Sequence, residues 1–297
     1  MRTRRAVGKR AARRYAGRHG IVGSGAAMVR IGTVWDRTVD VLQGRTGILA
    51  GIALLTMVLP GVAGGVLRAT GGAPAALGPV VAIATVLLLL YGILAITAVA
   101  SDPAVDGAAA YRIAGRRLLA ALGVLVVLIV AATLFFLPAV VALAVGGARM
   151  NAAGKLDVQA VAAGPLALSG LLALATVVAG LWLSARLVPL FGIVVNETRG
   201  LGALRRSLAL TRGSTMKLIG VLILYAIVVI VLMMASTSVV GIVARLVLGG
   251  EADATVALVV AIVSALVSAL TSVVQSVFYA QFYVAARAQE QRMAPLA

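Results

Sequence analysis

The densest reactive side chains lie in the stretch ARLVPLFGIVVNETRGLGALRRSLALTRGSTMK, residues 185–217. It carries Arg186, Glu197, Arg199, Arg205, Arg206 and Ser207. Guanidinium groups present planar forks of donors that match carboxylates and phosphates. Several around one glutamate suit ion pairing, anchoring at a membrane face, or contact with anionic lipid heads. A second polar set, Ser264, Ser268, Ser272 and Ser276 at four-residue spacing, shares one apolar segment with Gln275, Tyr279 and Gln281. Hydroxyls and amides so placed could line a path for a neutral solute. Small residues every four positions equally let two helix backbones approach closely, and so do Gly47/Gly51 and Gly61/Gly65. Other chemistry lacks its parts. The chain has one histidine, His19, no cysteine, and nine acidic residues, none of them in the core of an apolar run. Paired carboxylates, intramembrane aspartyl proteolysis and a His/Glu zinc site have no candidates, so no enzyme, metal or cofactor is expected. Gly154-Lys155-Leu156 lacks the hydroxyl residue and upstream glycine of a phosphate loop.

The elements that position these residues follow from composition. Of 297 residues 62% are hydrophobic and 12% charged, against roughly 45–50% and about 25% in soluble domains. Too little polar surface remains to cover a soluble body, so lipid must cover it. Six charge-poor intervals are long enough to cross a bilayer, which takes about 20 apolar residues: about 46–67, 78–100, 118–148, 161–184, 218–244 and 255–286. The expected fold is an all-α polytopic bundle of six transmembrane helices in three hairpins, with amphipathic helices on the cytoplasmic side. The third interval exceeds the hydrocarbon thickness, and Pro138, like Pro60 and Pro189, is a candidate kink.

Loop by loop, Lys and Arg divide 22 to 4 between the two sides, which by the positive-inside rule puts both termini in the cytoplasm. Most of the formal charge of +17 is thus orientation, and no nucleic-acid partner is expected. Residues 1–27 form a basic Gly/Ala-rich tail that reads as disordered, or as an over-long start with Met28 the initiator. Their twin-arginine pair lacks the apolar stretch of an export signal. From Met28, residues Ile31, Val34, Trp35, Val39 and Leu42 recur near helical spacing. They predict an amphipathic helix lying at the interface or packed on neighbouring spans. Leu201, Leu204 and Leu208 predict a second helix, resting on the inner membrane face, with Gly213-Ser214 as its stop and the cap of the next span. Glu197, ahead of it, could pair with Arg186 or Arg206. The threefold rhythm of basic stretch and hairpin has thin residue-level support as a true repeat.

The order Val-Val-x-Glu, x-x-Gly, Ala-x-x-Arg-Ser, Leu-x-Leu-Thr-x-Gly, new span, carried by Glu197, Gly200, Ala203, Arg206, Ser207, Leu208, Leu210, Thr211 and Gly213, resembles a known signature. It is that of the bacterial membrane domains associated with glycerophosphoryl diester phosphodiesterases and of related six-span proteins. Val277-Phe278-Tyr279 with Tyr283 and Arg287 is similar to that family's aromatic exit helix. The resemblance covers roughly residues 28–290 and implies the six-span architecture. The phosphodiesterase itself is a His- and carboxylate-bearing barrel absent here. Asp106, Gly107 and Arg112 miss by one residue the spacing of CDP-alcohol-type transferases, and no aspartate pair follows. The expectation is a non-enzymatic protein of the bacterial cytoplasmic membrane, a scaffold or envelope-maintenance component. Its basic face would contact anionic phospholipid heads or an unidentified protein partner. The alternative is a permease for a small amphiphilic or lipid-derived solute along the span-six serine face. Dominance of Arg over Lys and heavy Ala/Val/Leu use fit a high-GC bacterial genome.

Overall fold

Apolar runs surrounded by lipid must satisfy their own backbone groups, and a helix does so within one segment. The computed structural model describes residues 29–69, 77–150, 156–157, 161–249 and 253–293. The basic tail, the turn at 71–74 and Gly154-Lys155 lie outside the described residues. Among those described, six helices are long and apolar enough to cross a membrane: Thr46–Leu67, Gly78–Ser101, Gly107–Val145, Ala163–Asn196, Thr215–Leu248 and Ala254–Arg292. The elements in chain order are α1 (Ile31–Gly44), α2 (Thr46–Ala53), a π-helical turn (Leu54–Val58), α3 (Leu59–Ala69), α4 (Gly78–Ser101), α5 (Gly107–Val145), α6 (Ala163–Arg186), α7 (Leu190–Asn196), α8 (Gly202–Leu210), α9 (Thr215–Leu248) and α10 (Asp253–Met293). A two-rung ribbon, Arg149 opposite Asp157 and Met150 opposite Leu156, lies between α5 and α6.

Local chemistry explains where these helices start and bend. The Asp106 carboxylate accepts the Ala109 N–H at 2.7 Å and caps α5. That helix therefore begins well before residue 118 and carries Arg112, Arg116 and Arg117 within it. It runs through Pro138 unbroken. The first span behaves differently: the π turn ends just before Pro60, where the widened backbone accommodates a residue that lacks an N–H and crowds the carbonyl one turn back. Pro189 sits at the junction of α6 and α7 as the N-cap of α7.

Helix α10 is the hub, packed against α1, α3, α4, α7 and α9. Its closest approach to α3 is through alanines. A Cβ on Gly65 would lie 2.4 Å from the Ala261 Cβ, and one on Gly61 3.0 Å from the Ala265 Cβ, whereas Gly47 and Gly51 face open space. The serine row is offset by one residue from this alanine row. Ser264 donates to the Val260 carbonyl at 2.7 Å, Ser268 is exposed, Ser272 half-buried and Ser276 buried.

Buried side chains concentrate at the arginine-rich end of the spans, in Leu90–Ala100, Ala110–Val124, Leu190–Val195 and Val273–Ala286. Toward the other end Leu134, Phe135, Phe136 and Leu137 are all exposed. Successive helical residues point 100° apart, so four exposed side chains in a row leave α5 sparsely packed at that depth, where the Thr176 hydroxyl of α6 still reaches the Phe135 carbonyl at 3.3 Å.

Candidate functional site

At the arginine-rich end the chain leaves α6, turns through Leu187–Pro189, and re-enters the bundle as the short helix α7. Leu190, Gly192, Ile193, Val194 and Val195 of α7 are buried against α4, α5 and α10. Glycine at 192 is what permits this: a Cβ there would fall 2.6 Å from the Tyr283 ring. The chain then reverses at Glu197, whose N–H bonds the Ile193 carbonyl at 2.8 Å, and at Thr198, which takes φ +57°. Asn196 donates its amide to the Gly192 carbonyl at 2.8 Å.

Helix α8 lies across this reversal on a small polar face. Ala203, Ser207 and Thr211 are buried, while Leu201 is exposed and Leu204 and Leu208 are half-buried. Of the leucine stripe Leu204 packs against the core, while the side chains turned fully inward are the small ones. Small residues let α8 sit directly on the end of α6, where the Ser207 hydroxyl donates to the Arg186 carbonyl at 2.7 Å. The Arg186 guanidinium donates back to the Leu208 carbonyl at 2.8 Å and lies 5.0 Å from the Trp182 ring centroid. Arg186 thus cross-links α6 to α8 and does not pair with Glu197. Gly213 at φ +87° ends the connection, and Ser214 occupies the N-cap of α9 without a side-chain capping bond.

Glu197 draws the cluster together. Its carboxylate lies 3.3 Å from both the Arg199 and the Arg206 Nε atoms. The Arg206 Nε is at ion-pair distance but off the hydrogen-bonding angle, because the rest of that guanidinium forks onto Glu290, with Nη1 at 2.7 Å from Oε1 and Nη2 on Oε2. The Tyr283 hydroxyl donates to Glu197 at 3.3 Å and accepts from Arg287 at 3.2 Å. The Arg206 guanidinium is held above the ordinary arginine value, chiefly by the hydrogen bond to Glu290 and aided by both carboxylate charges, against the opposing effect of burial. Glu197 and Arg199, just past α7, thereby form one latch with Arg206 of α8 and Tyr283, Arg287 and Glu290 of α10. Arg205 stands outside it, exposed and without an ion pair among the described residues.

Several of these partners are absent from the reading of the 185–217 stretch. Glu290 lies 84 positions beyond Arg206, and the signal for it is the spacing Tyr283, Arg287, Glu290, one face of a helix. Arg45 is another: its guanidinium donates to the Val99, Asp102 and Val105 carbonyls at 3.0, 3.2 and 2.9 Å and to Pro103 as well. Gln281 adds a bond of 2.6 Å to the Ala100 carbonyl. Together they bond the Val99 and Ala100 carbonyls in the last turn of α4 and three carbonyls of the loop that follows it. Of the span-six polar groups, Gln275 donates to the Tyr279 hydroxyl at 2.7 Å, apart from the latch.

No known protein family, curated protein or solved structure matches the chain. Among the described residues no three His, Cys, Asp or Glu side chains are grouped so as to hold a metal ion. What the cluster does chemically is bind charge to charge and close chain reversals. Arg206→Gln is expected to destabilise the protein by about 2 kcal/mol, since two carboxylates lose a charge-assisted partner. Glu290→Gln, on the exposed side of the fork, should cost under about 1 kcal/mol. Thermal unfolding of both variants in one detergent checks the order, and equal costs would show that Arg206 serves Glu290 alone.

Proposed function

We propose that the chain is a non-enzymatic multi-pass protein of the bacterial cytoplasmic membrane, with both termini in the cytoplasm. It serves as a scaffold or envelope-maintenance component whose basic face holds anionic phospholipid heads or a protein partner. The observation that carries this reading is the 22-to-4 partition of Lys and Arg between the two sides. The short motif through Glu197, Arg206 and Ser207, similar to the phosphodiesterase-associated membrane domains, supports the same assignment. With Arg186 and Arg206 engaged inside the protein, the arginines of this stretch that face outward without an ion pair among the described residues are Arg205 and Arg212.

The double variant Arg205→Gln/Arg212→Gln tests the reading without opening the latch. Each basic group near an anionic surface contributes about 1 kcal/mol. The variant should therefore lose phosphatidylglycerol relative to phosphatidylethanolamine in quantitative analysis of co-purified lipid, or lose a cytoplasmic cross-linked partner. An unchanged lipid ratio together with unchanged cross-links would sink it. The permease reading has one observation in its favour, the exposure of Ser268 beside the half-buried Ser272. It requires solute-dependent flux that Ser268→Val/Ser272→Val abolishes in proteoliposomes.

A further inference from the structure

Between α1, α9 and α10 runs a lateral groove of about 640 Å³, entered past Ile31, Gly32 and Trp35 and floored by Val228, Leu232 and Leu270. We propose that this groove binds one anionic phospholipid, an acyl chain filling it and the phosphate resting on Arg30 and Lys217. This site is separate from the exposed arginines of α8.

Its walls select the chain. The polar groups along it are turned on each other: the Tyr225 hydroxyl donates to the Thr271 carbonyl at 2.6 Å and Gln275 to the Tyr279 hydroxyl at 2.7 Å. The surface left to an occupant is almost entirely apolar, which offers little to a polar solute and suits a hydrocarbon chain. The length also fits. From Val221 to Leu232 along α9 the groove extends about 16 Å at 1.5 Å per residue, close to the ~15 Å of one hydrocarbon leaflet.

Charge complementarity selects the head. Arg30, exposed, immediately precedes Ile31 at the mouth, and Lys217, also exposed, lies one turn before Val221 on the same face of α9. Trp35, 49% exposed with its ring 6.4 Å from that of Phe278, stands where indoles favour the headgroup level. A phosphate there meets two cations while its chain follows α9 inward.

Trp35 also reports the result. The chain has two tryptophans, so Trp182→Phe leaves Trp35 as the single fluorophore. In phosphatidylcholine vesicles doped with acyl-brominated phosphatidylglycerol, Trp35 quenching should saturate at about thirtyfold lower mole fraction than with brominated phosphatidylcholine, as two basic groups at about 1 kcal/mol each imply. Arg30→Gln/Lys217→Gln should bring the two curves together. Gly32→Phe, placed where a Cβ meets open space, should remove the saturable component, and Leu270→Phe should do so from the deep end. Arg205→Gln/Arg212→Gln should leave the curves unchanged, which separates this site from the basic face of α8. Proportional quenching by both lipids in the parent chain, or a saturable component that survives both blocking variants, would overturn the proposal.

Discussion

Gly192→Val is expected to unseat α7 and lower stability by about 3 kcal/mol or more, at the upper end of what overpacking a tight core costs. A Cβ at this position would lie 2.6 Å from the Tyr283 Cγ, 2.7 Å from its Cβ and 3.0 Å from its Cδ1. Turning the ring moves Cδ1 but leaves the Tyr283 Cβ in place, so the clash clears only if α7 and α10 separate. Tyr283 is 2% exposed and donates to Glu197, which links the packing of α7 to the latch: displacing the ring also withdraws a donor from the carboxylate that holds Arg199 and Arg206. Gly192→Ala should cost less than Val in the same direction. Gly192→Ala with Tyr283→Ala should be less destabilised than the sum of the single variants by over about 1 kcal/mol, the coupling expected of residues in contact. Midpoints of thermal unfolding in a single detergent measure all four chains. An unshifted midpoint for Gly192→Val would mean that α7 does not seat against α10.

The six spans were legible because the signal is long and one-dimensional: a charge in mid-membrane is costly, so charge-free length marks each span, and the described residues hold six helices of that kind. The candidate site was legible only in part. Arg206 pairs with Glu197 as one of the two partners its spacing allowed, yet the stronger half of its fork goes to Glu290, which comes from the end of α10. Arg186 faced the same choice and took a carbonyl instead, an outcome set by how the chain turns between α6 and α8. The leucines of α8 predicted a helix with an apolar stripe, but they carry no information on which face meets protein. At a lipid–water boundary the apolar stripe has lipid available to cover it, so the face that meets protein is free to be small and polar, and here it is Ala203, Ser207 and Thr211. The serine and alanine rows of α10 differ by a single residue, a rotation of 100°. Only the partner helix, with Gly61 and Gly65 opposite Ala265 and Ala261, decides which row packs.

Gly92→Ala should be among the most damaging single-methyl additions, at about 3 kcal/mol, because it strikes the point where the π turn presses on the second span. Pro60 follows Thr56 by four residues, so its ring crowds the Thr56 carbonyl, and the backbone widens over Leu54–Val58 to accommodate it. Thr56 is buried, with its hydroxyl on the Ile52 carbonyl at 2.8 Å, and it packs into the hollow that Gly92 leaves on α4. A Cβ on Gly92 would fall 2.1 Å from the Thr56 Oγ1 and 2.8 Å from its Cβ. Rotating the threonine clears the first contact but not the second, so α4 must move away from the first span. That movement would also disturb the Arg45 and Gln281 contacts at the far end of α4, since both depend on where its last carbonyls lie. The expected result in lipid nanodiscs is a lowered unfolding midpoint for Gly92→Ala and partial recovery on adding Thr56→Ala, which removes Oγ1 but keeps the Cβ. Full recovery by Thr56→Ala would place the whole cost on the hydroxyl. Recovery by Pro60→Ala in the Gly92→Ala chain would show that the proline holds the π turn, and with it Thr56, against α4.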